Sequence, residues 1–230
     1  MSLKVLSNPK KWSGDRMAIC VINNTTQLGA LFVLTPERYN PRRRMSFAND
    51  NDGVLLSEII VLENEIVSSK KVLSDWHQIN TSDAAGGYLK VPQNVEKIKS
   101  NKKILRKGDV IISRLRPYLH QVAYVDVETE NNICASTEFY VLRARNKESI
   151  AFLVPFLLSE KVQTVFANSV EGSQHPRFKE EDILNLIVPS NIFEKREMIS
   201  KKVIEAIKRY REYEDFLKSS VDYINNNIPS

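Results

Sequence analysis

Residues 113–121 read Ser-Arg-Leu-Arg-Pro-Tyr-Leu-His-Gln, with Arg114, Arg116, Tyr118 and His120 on alternate positions. In a β-strand those four side chains share one face. Arginine forks onto the acceptors of guanine, and tyrosine and histidine contact base edges or phosphates. The plainer alternative is a solvated sheet face. A second polar group lies at Gly-Ser-Gln-His-Pro-Arg-Phe-Lys, residues 172–179, which offers Ser173, Gln174, His175, Arg177 and Lys179. Glutamine suits adenine, while a bland polar loop is the alternative here. Ile-Cys-Ala-Ser-Thr-Glu-Phe-Tyr-Val brings the hydroxyls of Ser136 and Thr137 to the end of another apparent strand. Arg42, Arg43, Arg44, Lys102, Lys103 and Lys179 are the cations suited to phosphate contact. Like charges clustered in a loop otherwise serve as solvated surface.

The patterns of an active site are missing. There is no Pro-Pro pair, and so no Asn- or Asp-Pro-Pro-aromatic motif of the amino-methyltransferases. There is no Gly-rich phosphate loop and no Gly-x-Ser-x-Gly. No Asp or Glu is followed two positions later by Lys, which removes the acidic-x-Lys half of a common metal-dependent nuclease site. His77, His120 and His175 lack metal-ligand spacing, and neither Cys20 nor Cys134 has a cysteine neighbour. The residues therefore point to binding rather than catalysis, with no metal and no catalytic set expected.

The elements that must hold these side chains are short strands and helices. Met17–Ile22 and Leu28–Leu34 flank Asn23-Asn24-Thr25-Thr26 and suit a hairpin. Val54, Leu55, Leu56, Ile59, Ile60 and Leu62 fit a short amphipathic helix, and the same stretch reads as strand, so periodicity does not arbitrate. Lys107-Gly108-Asp109 marks a turn before the buried run Val110-Ile111-Ile112. Further strands follow at Gln-Val-Ala-Tyr-Val-Asp-Val and Phe-Tyr-Val-Leu-Arg-Ala, which predicts a run of short antiparallel strands. Ile150, Leu153, Leu157, Val162, Val165 and Phe166 then mark a helical apolar side, with Pro155 near its first turn or kinking it. A short helix at Lys-Glu-Glu-Asp-Ile-Leu-Asn-Leu and a strand at Ile-Val-Pro come next.

The C-terminal segment predicts one long helix over 194–226. Ile199, Val203, Ala206, Tyr210, Tyr213, Leu217, Val221 and Ile224 recur at spacings close to a heptad seam, with one break at Val221. At 1.5 Å per residue it runs roughly 50 Å, longer than a domain of this size covers, so it should project and pack on another helix. Folding back onto its own domain is the alternative.

The chain has 230 residues and a formal net charge of +5, long enough for a substantial core and basic enough to favour a polyanionic partner. No apolar run approaches the length of a membrane span, and the N-terminus lacks the apolar core of a signal peptide. Two cysteines far apart read as buried reduced thiols. A cytoplasmic protein is the expectation.

Taken in order, several motifs are collinear. They are Leu-Arg-Lys-Gly-Asp-Val-Ile-Ile-Ser at 105–113, Ser-Thr-Glu-Phe at 136–139 and Phe-Leu-Leu-Ser-Glu-Lys-Val-Gln at 156–163. Gly-Ser-Gln-His-Pro-Arg at 172–177, Glu-Asp-Ile-Leu at 181–184, Val-Pro at 188–189 and Met-Ile-Ser-Lys-Lys at 198–202 follow. Over residues 104–205 this resembles the target-recognition domain of type I restriction-modification DNA specificity (S) subunits. Upstream, Leu-Thr-Pro-Glu-Arg-Tyr-Asn-Pro-Arg-Arg at 34–43 resembles the family's domain entry more weakly, and the hairpin at 16–34 has no counterpart. It reads as an add-on or as part of a larger parent chain.

The resemblance implies an α+β fold: an antiparallel β-rich recognition domain within residues 1–190 with packed helices, followed by the long helix. It implies sequence-specific recognition of double-stranded DNA without catalysis. Methyltransferase subunits would dock on the chain and bring S-adenosylmethionine, and the restriction subunit would join through the complex, so ATP and Mg would also belong to partners. A complete S subunit carries two recognition domains; this sequence has one. It would thus homodimerise through the helix as a half-S protein, or be the recognition part of a longer chain that also carries the methyltransferase. A coiled-coil interaction module without nucleic acid is the rival reading.

Overall fold

A computed structural model describes residues 52–68, 74–127, 132–170 and 174–228. The hairpin at 16–34, Arg42, Arg43, Arg44, Cys20 and Ser173 lie outside these residues. The described chain opens with β1 (Gly53–Leu55), a one-turn helix α1 (Leu56–Ile59) and β2 (Ile60–Glu63), so the stretch that read both ways is both. Next come β3 (Ile66–Val67), β4 (Asp75–Ile79), β5 (Ala84–Ala85), β6 (Gly87–Leu89), β7 (Glu96–Lys97) and β8 (Lys102–Ile104). The central strands are β9 (Val110–Ser113), β10 (Val122–Tyr124), β11 (Ile133–Ala135) and β12 (Phe139–Ala144). After them come α2 (Leu153–Leu158), α3 (Glu160–Ser169), α4 (Glu180–Leu184), β13 (Ile187–Pro189), α5 (Ser190–Phe193) and α6 (Arg196–Asn227).

A six-stranded sheet, in the order β2-β12-β9-β10-β6-β5, forms the middle layer. A five-stranded sheet, β3-β8-β11-β4-β7, covers one side of it, and β1 pairs with β13. The pairings are antiparallel except β10 with β6 and β11 with β4. The fold is thus α+β and mostly antiparallel, as the sequence predicts.

Strand alternation explains why the middle strands read as continuous apolar runs. Val110, Ile112, Val122, Tyr124, Tyr140 and Leu142 point to a core shared with Leu153, Leu157, Phe166 and Phe178 of the helical side. Their neighbours Ile111, Ala123, Phe139 and Val141 point the other way, onto Ile79, Ile133 and Ala135 of the second sheet. A sheet covered on both faces has no polar side to show, so period two is present in space and hidden in composition.

The Lys-Gly-Asp motif is a structural device. Gly108 turns the chain at φ +96°, a conformation that favours glycine. Asp109 then sits 1% exposed, accepting the Arg106 N–H at 2.8 Å and a two-pronged bond from Arg143 at 2.8 Å on each oxygen. Burial pushes the Asp109 carboxyl up, and the Arg143 and Arg106 bonds pull it back without cancelling the rise. Arg143 belongs to β12, so the pair locks the entry of β9 to its neighbour.

Pro155 lies in the first turn of α2, where its missing N–H costs nothing. The helical region breaks at Ser159, whose extended backbone separates α2 from α3. The long helix also departs from expectation. Its first half folds back on the domain: Ser200 and Ile207 are buried, and Ile199 and Val203 pack on the helical-side core. Its second half projects. The Ser200 hydroxyl accepts the Phe152 N–H at 3.1 Å and donates to the Ser149 carbonyl at 3.2 Å, pinning the start of α6 to the start of α2. Among the described residues no helix is long and apolar enough to cross a membrane.

Removing one member of the Asp109–Arg143 pair leaves a buried charge unpaired. Arg143→Ala is expected to cost about 3–5 kcal/mol in urea unfolding, and Arg143→Lys to recover only part of it, since lysine cannot span both oxygens.

Candidate nucleic-acid interface

The two polar segments that stand out in the sequence are joined edge to edge. Leu115 pairs with Arg177 in an isolated antiparallel bridge. The Arg116 N–H donates to the Pro176 carbonyl at 2.9 Å, and the Phe178 N–H donates to the Arg114 carbonyl at 3.3 Å. Phe178 anchors the second segment from below: it is 1% exposed, stacks on Phe166 at 4.3 Å, and its carbonyl accepts the Tyr140 hydroxyl at 3.0 Å.

Glu138 holds the two segments together. Arg177 grips its carboxylate with Nε at 2.8 Å and Nη2 at 2.7 Å, while Arg114 donates Nε at 3.1 Å. The Arg177 guanidinium also donates to the His175 carbonyl at 3.1 Å, extending the brace into the loop. The Arg177 bonds hold the Glu138 carboxyl below the usual carboxylate range, burial opposes this, and Arg114 adds to it. Ser136 shapes the turn that presents Glu138: its Oγ accepts the Glu138 N–H at 3.3 Å, and its own N–H donates to the Ile79 carbonyl at 2.9 Å. In Ser-Thr-Glu-Phe, then, Ser136 makes the turn, Glu138 clamps and Phe139 fills the core, while Thr137 is exposed.

Residues 114–120 are not the strand that the alternation suggests. β9 ends at Ser113, whose hydroxyl bonds both the N–H and the carbonyl of Leu115. Arg116 is left-handed at φ 50°, Pro117–Leu119 make a 3₁₀ turn, and His120 is left-handed at φ 52°. Proline cannot donate to a ladder, and its ring presets the turn. The four side chains therefore do not share a strand face. Left-handed backbone costs about 1–2 kcal/mol at a residue that is not glycine, so the surrounding packing must hold it. Pro117 is buried, and Tyr118, Leu119 and His120 stand exposed.

The expected site residues thus separate. Arg114 and Arg177 are spent on Glu138. Arg116 is half-buried, Gln174 and His175 are exposed, and among the described residues Arg116, Tyr118, His120, Gln174 and His175 have no side-chain hydrogen bond or ion pair. Lys103 is not placed for phosphate: it is 7% exposed, its Nζ donates to Asn64 Oδ1 at 2.8 Å, and burial lowers its pKa. Lys102 and Lys179 are half-buried, and the Lys179 N–H donates to Asp182 at the start of α4. Sequence reasoning gave no role to Glu138 or Leu119. The only signal for Glu138 was an acidic residue inside an otherwise uncharged motif.

The helix seam splits as well. Ile199 and Val203 face the chain's own core, and Tyr210 meets Tyr88 with ring centroids 4.1 Å apart and a 2.9 Å hydroxyl bond. Arg211 forks onto Asp126 at 2.8 and 2.9 Å and donates to the Leu89 carbonyl. Ala206 is exposed, as are Tyr213, Leu217, Val221 and Ile224 beyond that anchor, together with Phe216 and Tyr223.

No family model matches the chain, and no curated protein matches it. Among solved structures, a chain from work on complex assembly and conformational transition of the type I restriction-modification system matches with a TM-score of 0.53 and 24% identity, over 73% of this chain and 44% of that one. The HsdS subunit from Thermoanaerobacter tengcongensis matches with a TM-score of 0.47 and 20% identity, over 74% and 46%. The first likeness is one of fold: the α+β architecture with its long helix is shared with that chain. This chain spans less than half the length of either solved chain.

Glu138→Gln removes the charge that binds two arginines. It is expected to lower stability by about 1–2 kcal/mol near neutral pH. Because the folded carboxyl titrates below its unfolded value of about 4.3, the clamp is at full strength above that pH and is lost as pH falls through the folded value. Urea unfolding across pH 3–7 should show a weaker acid limb in the variant than in the wild type.

Proposed function

We propose that this chain reads double-stranded DNA sequence for a type I restriction-modification system, as its specificity subunit or half-subunit. The observation that carries the reading is the rim at which residues 116–120 meet residues 174–175, where Arg116, Tyr118, His120, Gln174 and His175 stand with unpaired polar atoms. Those are the groups that read base edges. Lys102 and Lys179 are the proposed phosphate contacts, which position the duplex without specifying it; Arg42, Arg43 and Arg44, outside the described residues, are further candidates by residue type. Arg114 and Arg177 shape the rim through Glu138. The motif order and the fold support the assignment.

In this reading the chain itself performs no chemistry. Methyltransferase subunits dock on it and bring S-adenosylmethionine, and the restriction subunit joins through the complex with its ATP and Mg. A second recognition domain comes from homodimerisation through the distal half of α6, where Phe216, Leu217, Val221 and Ile224 present exposed apolar surface. The span of less than half of the solved chains also favours a second arrangement, in which this domain belongs to a longer polypeptide, including one fused to the methyltransferase.

Filter binding of the intact chain to random-sequence duplex DNA should show affinity falling steeply between two salt concentrations. No binding at low salt would leave the coiled-coil module as the reading. On a duplex selected by the wild type, Arg116→Ala should lose about 1–3 kcal/mol, while on unselected DNA the loss should be small. By light scattering the wild type should be a dimer, and Leu217→Glu with Ile224→Glu a folded monomer; a wild-type monomer would point to a partner helix on another chain.

A further inference from the structure

Arg116 and His120 are the only residues other than glycine with positive φ among the described residues. They bracket a single turn whose two outward side chains are apolar or aromatic: Tyr118 is 61% exposed and Leu119 47%. Backbone strain of this kind persists only where surrounding structure imposes it, and it concentrates at functional sites. Here the surroundings do impose it. Pro117 is buried beneath the tip. The Leu119 N–H donates to the Arg116 carbonyl and the His120 N–H to the Pro117 carbonyl, both at 2.9 Å. The flanks are tied down by the Ser113 N–H on the Gln121 carbonyl and the Arg116 N–H on the Pro176 carbonyl, again at 2.9 Å. The Glu138 clamp closes the base of the turn. Tyr118 and Leu119 are therefore held out in a fixed direction.

We propose that the Tyr118–Leu119 tip is an apolar reading element that selects thymine, with Leu119 seated against the C5 methyl group in the major groove. The inference rests on the DNA-reading function proposed above. Two observations favour a base edge over a protein or lipid surface. Arg116 and His120, whose side chains make no hydrogen bond or ion pair among the described residues, flank the tip at either end of the turn and supply polar groups beside it. Neither 113–121 nor 172–179 contains an Asp or Glu, and the one carboxylate that joins them, Glu138, is neutralised by Arg114 and Arg177, so the rim favours a polyanion. The thymine methyl is the one apolar group that base pairs present in the major groove, which makes it the matching chemistry for an exposed leucine between two hydrogen-bond donors.

The test is selection from a random duplex pool by the intact wild-type chain, followed by replacement of each selected thymine with deoxyuridine, which removes only the methyl group. At one thymine the wild type should lose affinity about fourfold, the factor that burial of one methyl group is worth. Leu119→Ala, at an exposed position and with an unchanged thermal melt, should bind the thymine and deoxyuridine duplexes equally. Repeat selection with the variant should relax the preference at that position alone. A methyl effect that persists in Leu119→Ala, or no methyl effect at any thymine, overturns the tip's role while sequence selection stands. A wild-type chain that selects no sequence removes the DNA-reading function, and the tip's role with it.

Discussion

The burial of one sheet on both faces is the constraint on which the rest of this domain depends. β9, β10 and β12 send alternate side chains to the helices and to the second sheet, so neither layer can be lost without exposing the strands' other half. Each fully buried aliphatic or aromatic side chain contributes about 1.5–3 kcal/mol; Leu142, Phe166 and Phe178 are buried on the helical side and Ile111 and Phe139 on the side of the second sheet. A strand enclosed in this way cannot also display a row of polar side chains. The polar groups are pushed to where the strands end.

That is where the Glu138 clamp matters. β9 stops at Ser113, and Arg177 lies in the segment that leads into α4; the two segments meet in a single isolated bridge outside the sheets. A partly buried carboxylate joined to two guanidinium groups gives them a common anchor. Hydrogen bonds to charged groups are the stronger kind, and a forked arginine also sets direction. The rim of Arg116, His120, Gln174 and His175 follows from this anchor: it carries the side chains left without partners once Arg114 and Arg177 have been committed. A loop this well tied down can discriminate between ligands by geometry, since little ordering remains to be done on binding.

The long helix divides the same way between architecture and contact. Up to Arg211 it is part of the domain, with Ser200 and Ile207 buried and Asp126 holding its far end. Past that point its apolar residues have no covering among the described residues. Phe216 is 75% and Tyr223 70% exposed, a degree of exposure for large aromatics that suits a helix–helix contact better than free solvent. The heptad spacing runs through both halves, but only the first half of the stripe is covered by the described part of the domain.

Much of this was legible in the sequence. Motif order implied the α+β fold, and hydrophobic spacing located α6 and the middle strands. Those features depend on local pattern and chain order, which a sequence carries directly. The tertiary structure decided what local pattern cannot. Alternation at Arg114, Arg116, Tyr118 and His120 matched a strand, but Pro117 cannot join a ladder, and the chain turns instead. Lys103 carried the charge for a phosphate contact, yet it lies buried beside Asn64. Arg114 and Arg177 had the chemistry to read guanine, yet Glu138, 24 and 39 residues away in sequence, claims both. Sequence determined which groups could bind and in what fold; only the packing of distant segments decided which of them were left free to do so, because an arginine's partner is set by distance in space and not by spacing along the chain.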